Sequence, residues 1–206
     1  WEPFYSLTFG VLAGIFVPVL LAIILGFFIF RGRIAGVYVA IITLAVMLVV
    51  YLLIMDQQRY TGGFNGITDL VMLKVGGLEF DAYGSTAYYL IVGVMTIVIF
   101  LSLLITKSRA GLIFQAIRDD ENRVRFLGYS VGTYKTAAMC LSAAIAGIAG
   151  MLYTIVMEFA SPTFLAVPLS LSIVIWCAVG GRQSLLGSFL GAIVITAGQG
   201  FLSETE

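Results

Sequence analysis

The sequence predicts an all-α polytopic membrane protein, and three observations support this fold class. Of the 206 residues, 61% are hydrophobic and only 11% are charged, whereas soluble domains carry roughly 25% charged residues. Uncharged apolar runs of roughly 20 residues recur along the chain, which is the length that a helix needs to cross a bilayer. The charged residues fall between these runs. The chain is therefore expected to form a single transmembrane domain over residues 1–206.

Six apolar segments are candidate membrane spans. They cover residues 7–30, 34–55, 87–106, 136–157, 165–180 and 185–202. The first four are long enough to cross the membrane as helices, although Pro18 interrupts the first. The last two are short, so residues 165–202 form either two full spans or a pair that includes a re-entrant helix. Because the chain opens at Trp1 without a charged leader, we expect it to be a fragment that lacks earlier spans and its C-terminal end.

The basic residues predict the orientation of these spans. Most of the 11 Lys and Arg residues fall on alternate connections, at Arg31, Arg33, Lys107, Arg109, Arg118, Arg123, Arg125, Lys135 and Arg182. The other connections hold only Arg59 and Lys74. Cytoplasmic loops carry the excess of Lys and Arg in membrane proteins. The segment of residues 107–135, here named the basic loop, is therefore expected in the cytoplasm, and residues 56–86 outside.

The basic loop is the strongest candidate for a functional element. It is far longer than a bare connector, and its sequence predicts an amphipathic helix or a pair of short helices ending near Gly128. Ile113, Ile117, Val124 and Leu127 recur at helical spacing, with charges on the other faces. An apolar stripe ringed by both charge signs is typical of a docking element for a soluble partner. The alternative is a helix lying on lipid headgroups, which the acidic run at residues 119–121 disfavours.

Two further groups of residues are weaker candidates. Gly62, Gly63, Asn65 and Gly66 predict tight turns with positive φ in the external loop, either as an ordinary loop or as a contact for an external partner. Thr43, Glu158 and Trp176 are candidates for a solute path. For polar residues inside the spans, helix packing is the more common role.

Several function classes lack their usual residues. The chain has no histidine, the commonest metal ligand and general base, so neither a metal site nor a membrane enzyme is expected. Lys107-Ser108 and Lys135-Thr136 lack the glycines of a phosphate-binding loop, so no cofactor is expected on this chain. A net charge of zero favours no nucleic-acid partner. No intramembrane charge pair supports an ion-coupled carrier.

Five segments resemble the LivM-like permeases of ABC importers. They are residues 31–43, the Gly-Gly-Phe-Asn-Gly-Ile-Thr-Asp segment at 62–69, and residues 116–129, 141–153 and 176–182. Within that family, Arg-Val-Arg-Phe-Leu-Gly-Tyr at 123–129 and the opening Trp-Glu-Pro-Phe-Tyr-Ser are similar to the urea transporter branch. The segment at 161–168 departs from the urea pattern.

The resemblance implies a type II-like importer permease in a bacterial inner membrane. It implies a second permease subunit, two cytoplasmic ATPases that use the ATP, and a periplasmic solute-binding protein. The coupling element that docks on an ATPase would include Arg118, Asp119, Glu121, Arg123, Arg125, Phe126 and Gly128. Urea is the expected solute, with branched-chain amino acids on the same fold as the alternative. A passive channel would leave the long charged loop unexplained.

Overall fold

The computed structural model describes residues 7–203 except 33, 35, 59–61, 68–72, 76–77, 81–84, 166 and 182–183. Arg33, Arg59 and Arg182, which contributed to the predicted orientation, lie outside the described residues, as does the opening segment of residues 1–6. The helices are α1 (Leu7–Arg31), α2 (Val37–Asp56), α3 (Ser85–Lys107), α4 (Arg109–Asp119), α5 (Glu121–Phe126), α6 (Val131–Met157), α7 (Val167–Gly180) and α8 (Leu185–Ser203).

Among the described residues, four helices are long and apolar enough to cross a membrane. These are α1, α2, α3 and α6. Helices α7 and α8 pass the same test only together, and they are bent by 117° at the break between them. This bend is that of a broken span or a re-entrant loop, and together with the four long helices it confirms the predicted all-α polytopic fold.

Helix α6 begins earlier than the sequence indicated. The predicted span started at residue 136, directly after Lys135, whereas the helix starts at Val131. A charged residue ends an apolar run in the sequence, but the helix continues through Lys135, whose ammonium pairs with an acidic residue of the basic loop. Helix α2 starts later than predicted, at Val37, because Gly36 adopts a φ of 66° just before it.

Helices α1 and α6 pack tightly against each other in an antiparallel pair. A Cβ atom added at Gly147 would collide with the carbonyl oxygen of Gly14, and one added at Gly26 would lie 2.9 Å from Cγ2 of Thr136. Such close backbone approach is what small residues permit in membranes. The C-terminal end of α1 therefore lies beside the N-terminal end of α6, which places Arg31 at the same end as the basic loop.

Two short strands add a small β-ladder to the loop before α3. β1 (Leu73–Val75) pairs antiparallel with β2 (Leu78–Phe80), with Lys74 opposite Glu79. Nearby in sequence, the amide of Ile67 donates to the carbonyl of Ala160 at 2.8 Å, and the amide of Ala160 donates back at 3.0 Å. This isolated bridge joins the loop to the segment that follows α6.

The described parts of residues 49–66 and 161–206 form a compact unit of their own. In it, α7 and α8 cross at glycines. A Cβ atom added at Gly180 would collide with the carbonyl of Gly187, and one at Gly191 would collide with the carbonyl of Trp176. Glycines at this crossing therefore let the two helix backbones approach closely.

Candidate functional site

The basic loop begins with a sharp corner between α3 and α4. The Ser108 hydroxyl accepts a hydrogen bond from the amide of Gly111 at 3.3 Å and lies 2.6 Å from the carbonyl of Ile105, to which it donates. This is a serine N-cap, which satisfies a free amide at the start of a helix. Gly111 is buried, and a Cβ atom there would collide with the carbonyl of Thr106. The corner therefore holds α4 at a defined angle to the end of a membrane span.

Asp120 divides the loop into two short helices. Its backbone is extended, with φ −154° and ψ 101°, so that it ends α4 and begins α5. Its carboxylate accepts hydrogen bonds from the amides of Asn122 at 3.0 Å and Arg123 at 3.2 Å. Aspartate is a preferred residue for this capping position. The sequence allowed either one amphipathic helix or a pair of short helices, and the structure has the pair.

The predicted apolar stripe does not continue across this break. Val124 is buried and Ile113 and Ile117 are half-buried, but Leu127 is 75% exposed. The helical spacing that placed all four residues on one face assumed an uninterrupted helix, and Asp120 turns the chain between the second and third of them. The prediction that the four residues share one helical face is therefore wrong, and Leu127 lies at the C-cap of α5.

An outward patch lies at the end of α5. It consists of Arg123, Phe126 and Leu127, whose exposures are 85% for the Arg123 side chain, 91% for Phe126 and 75% for Leu127. Gly128 follows with φ 88° and has no atom within 4 Å of the position its Cβ would take. Since a left-handed residue turns the chain sharply after a helix, the two apolar side chains are presented on a tight corner.

An ion-pair cluster lies on the other side of the same helix. Oε1 of Glu121 lies 2.5 Å from Nη2 of Arg125, and its Oε2 lies 2.5 Å from Nζ of Lys135 on α6. The hydrogen bond from Lys135 lowers the pKa of Glu121, and the charge of Arg125 acts in the same direction while partial burial opposes them. The Glu121 and Lys135 side chains are 30% and 27% exposed, so this pair is shielded more than an ordinary surface ion pair.

Three elements meet around this cluster. The ammonium of Lys135 lies 5.9 Å from the ring centroid of Phe30, near the end of α1. A cavity of about 200 Å³ opens here, and the residues that line it are Phe30, Ile34, Glu121, Asn122, Arg125, Gly132 and Lys135. On α4, Phe114 packs edge-on against Tyr134 of α6 at 6.1 Å. The basic loop is therefore attached to α1 and α6 through side chains.

The predicted docking residues thus fall into groups with different surroundings. Arg123 and Phe126 are in the outward patch, whereas Glu121 and Arg125 belong to the ion-pair cluster. Arg118 and Asp119 pair with each other at 3.3 Å on an exposed surface. The part played by Lys135 was not predicted, because Lys135 lies 14 residues from Glu121 and no local periodicity connects them.

The glycine turn of residues 62–66 has the conformation that its sequence predicts. Gly62, Gly63 and Gly66 have φ values of 71°, 58° and 69°, and the amide of Gly66 donates to the carbonyl of Gly63 at 3.2 Å. Asn65 is exposed between two buried glycines. The turn packs against the 3₁₀ turn Pro162–Leu165. A contact with an external partner remains a prediction.

The three candidates for a solute path lie on separate elements. The Thr43 hydroxyl donates within its own helix, 3.0 Å from the carbonyls of Val39 and Ala40. Glu158 is exposed at the end of α6 with φ 51°, and Trp176 is half-buried in α7. In the described part of the chain, no three His, Cys, Asp or Glu side chains are grouped as metal ligands would be.

Comparison with known proteins identifies the family. Residues 2–203 match the profile described as the branched-chain amino acid transport system permease component. The chain belongs to this family. It is thus a LivM-like permease-family chain, and its apolar helices are those of a multi-pass inner-membrane protein.

Two curated members of the permease family are similar over most of the chain. They are the high-affinity branched-chain amino acid transport system permease proteins LivM of Escherichia coli strain K12 and of Salmonella typhimurium strain LT2. Each is 29% identical over an alignment 206 positions long, which covers 88% of this chain and 47% of the relative. The chain therefore spans about half the length of these relatives. No solved structure matches it.

Proposed function

We propose that this chain is part of the membrane-spanning permease subunit of an ATP-driven importer. The observation that carries the proposal is the family match over nearly the whole chain. The proposed assembly has a second permease subunit, two cytoplasmic ABC ATPases and a periplasmic solute-binding protein. This chain binds no ATP itself in the proposal, because the partner ATPases hydrolyse it.

The outward patch is the proposed contact with the ATPase. An aromatic side chain that is 91% exposed beside a charged guanidinium has the composition of an interface hot spot, where Trp, Tyr, Arg and large apolar anchors dominate the binding energy. The Asp120 cap and the Glu121–Lys135 pair hold α5 in place, so both side chains are presented without further folding, which lowers the entropy lost on binding. Lipid headgroups are the competing contact for this patch.

The proposed solute is a branched-chain amino acid. The two similar relatives carry that solute in their names, and this supports the assignment. Urea is a second candidate, because Arg-Val-Arg-Phe-Leu-Gly-Tyr at 123–129 resembles the urea branch of the family. Both solutes are compatible with spans that carry few charges.

Uptake by the reconstituted complex tests the function. The full-length protein, its second permease, both ATPases and the binding protein are placed in proteoliposomes with ATP inside. We expect uptake of labelled leucine that requires ATP hydrolysis, and a hydrolysis-deficient ATPase serves as the control. Uptake of labelled urea without leucine would overturn the amino acid assignment. Uptake that persists without ATP would instead indicate a passive channel.

A further inference from the structure

Helix α5 needs contacts with other elements to keep its position when a bound partner moves it. It has only six residues, and isolated helices of this length are not stable in water. Its covalent link to α6 runs through Gly128, which has positive φ and no neighbouring atom within 4 Å of its Cβ position. The amides of Gly128 and Tyr129 donate to the carbonyls of Arg125 at 2.9 Å and Val124 at 3.3 Å. These bonds fix the end of α5, but neither reaches α6.

The ion-pair cluster supplies a direct link between α5 and α6. The Glu121 carboxylate binds Arg125 on its own helix with one oxygen and Lys135 on α6 with the other, at 2.5 Å in each case. Lys135 lies one turn inside a 27-residue helix, and its ammonium also contacts the Phe30 ring of α1. Since α1 and α6 are packed backbone to backbone further along, a displacement at Lys135 is passed to both.

Other contacts also connect α5 with α6. Val124 of α5 is buried, and Tyr129, in the connection between the two helices, packs edge-on against Tyr134 of α6 at 6.2 Å. These contacts are apolar and tolerate sliding, whereas a hydrogen-bonded ion pair has a defined direction and distance. Two-state rearrangements need contacts that move as a unit. The carboxylate is therefore the contact that sets the register between the outward patch and the membrane helices.

We propose that Glu121 and Lys135 form a positioning pair that transmits movement of the outward patch to α1 and α6. The proposal rests on the proposed function, in which an ATPase moves that patch. Cutting the pair leaves the patch exposed and able to dock. ATP hydrolysis then continues, but less of it is converted into movement of the membrane helices.

The ratio of solute transported to ATP hydrolysed is the measurement that tests this. In the reconstituted complex with labelled leucine and labelled urea as the probes, Glu121→Gln is expected to keep ATPase co-purification and hydrolysis. The transport-to-hydrolysis ratio is expected to fall by about tenfold, within the range by which single contacts alter coupling. Asp56→Asn is the matched control, because it removes an exposed carboxylate at the end of α2, outside the basic loop; its ratio stays at the unaltered value.

Two further variants separate transmission from simple stability. Lys135→Gln cuts the same pair while leaving Glu121 with Arg125, and it is expected to lower the ratio similarly. The exchange Glu121→Lys with Lys135→Glu restores opposite charges and is expected to recover most of the lost ratio. A purely structural role would reduce the amount of assembled complex and leave the ratio within it unchanged.

Each outcome bears on one proposal. An unaltered ratio in both single variants, with or without a loss of assembled complex, overturns the positioning pair and leaves the importer function standing. Absence of ATP-dependent uptake of either probe by the unaltered complex overturns the proposed function, and the positioning pair with it.

Discussion

Phe126 is 91% exposed, which is more than any other large hydrophobic residue that the structure describes. It lies outside the apolar helices that cross the membrane, so lipid tails do not account for this exposure. Truncation of a central aromatic residue in an interface removes about 2 kcal/mol or more of binding energy. The exposure of Phe126 is therefore the residue-scale feature on which the proposed contact with the ATPase rests.

We expect Phe126→Ala to weaken ATPase binding by at least tenfold while the protein still inserts into the membrane. Binding is measured by titrating the purified ATPase onto the full-length permease in detergent. Phe28→Ala is the matched control, since Phe28 is also exposed, at 69%, but lies in α1. Equal binding by the two variants would contradict the assignment of the outward patch.

The lowered pKa of Glu121 predicts a pH-dependent stability. A carboxylate with a lower pKa in the folded state stabilises the fold above its unfolded pKa, and this stabilisation is lost as the pH falls through the folded value. We therefore expect Glu121→Gln to be less stable than the unaltered protein at pH 7. The two should converge in acid, below the ordinary range of a glutamate.

Thermal unfolding of the purified full-length protein between pH 7 and pH 3 measures this difference. The groups that face the carboxylate are Arg125 on α5 and Lys135 on α6, and the comparison of the two proteins isolates the contribution of Glu121. A difference in stability that stays constant with pH would show that the ionised carboxylate is not its source.

At the scale of elements, Gly147 decides how closely α1 and α6 approach. A larger side chain there must displace the Gly14 carbonyl, and overpacking of this kind typically lowers the free energy of unfolding by about 1–3 kcal/mol. We expect Gly147→Leu to lower the thermal stability of the protein. Gly150→Leu is the control on the same helix, because no atom lies within 4 Å of its Cβ position.

Helix propensity changes equally in these two variants, so their difference isolates the packing of α1 on α6. Thermal unfolding in detergent measures it. If Gly150→Leu were as damaging as Gly147→Leu, the close crossing at Gly14 and Gly147 would not be the stabilising contact.

At the scale of the whole molecule, the distribution of basic residues predicts that the basic loop is cytoplasmic. The antiparallel packing of α1 and α6 places Arg31 at the same end as this loop, as that topology requires. In a variant with Cys140→Ala and Cys177→Ala, we expect a single cysteine at Asn65→Cys to react with a membrane-impermeant maleimide in intact cells. One at Arg123→Cys should react only after the membrane is permeabilised, and the reverse pattern would contradict the topology.

Much of the helical framework was predictable because long uncharged apolar runs are a property of local composition. The four long spans follow from uncharged runs, and their ends differ by a few residues where a local contact intervenes. Helix α6 extends through Lys135, whose ammonium pairs with Glu121, and no rule based on apolar runs anticipates a partner 14 residues away. The β-ladder at residues 73–80 was not predicted, since three-residue strands carry too little pattern to recognise.

The candidate site was predictable as a segment and less so as a set of residues. Its length, charge and apolar content mark the basic loop, but helical periodicity placed Ile113, Ile117, Val124 and Leu127 on one face. The helix restarts after Asp120 and ends at Phe126, so Leu127 lies at its C-cap and is exposed. A periodic pattern holds only while the backbone dihedral angles repeat, so one capping residue is enough to change which side chains share a face.

The sequence by itself determined that this chain is an all-α, multi-pass membrane protein of the LivM-like permease family, because hydrophobicity, charge placement and short sequence motifs are properties of neighbouring residues. The tertiary structure alone decided which side chains of the basic loop face outward and which are paired. The physical reason is that Glu121, Lys135 and Phe30 lie far apart in sequence and meet only when α1 and α6 pack. The basic loop therefore presents an outward patch of Arg123, Phe126 and Leu127, and the ion-pair cluster lies on the other side of the same helix.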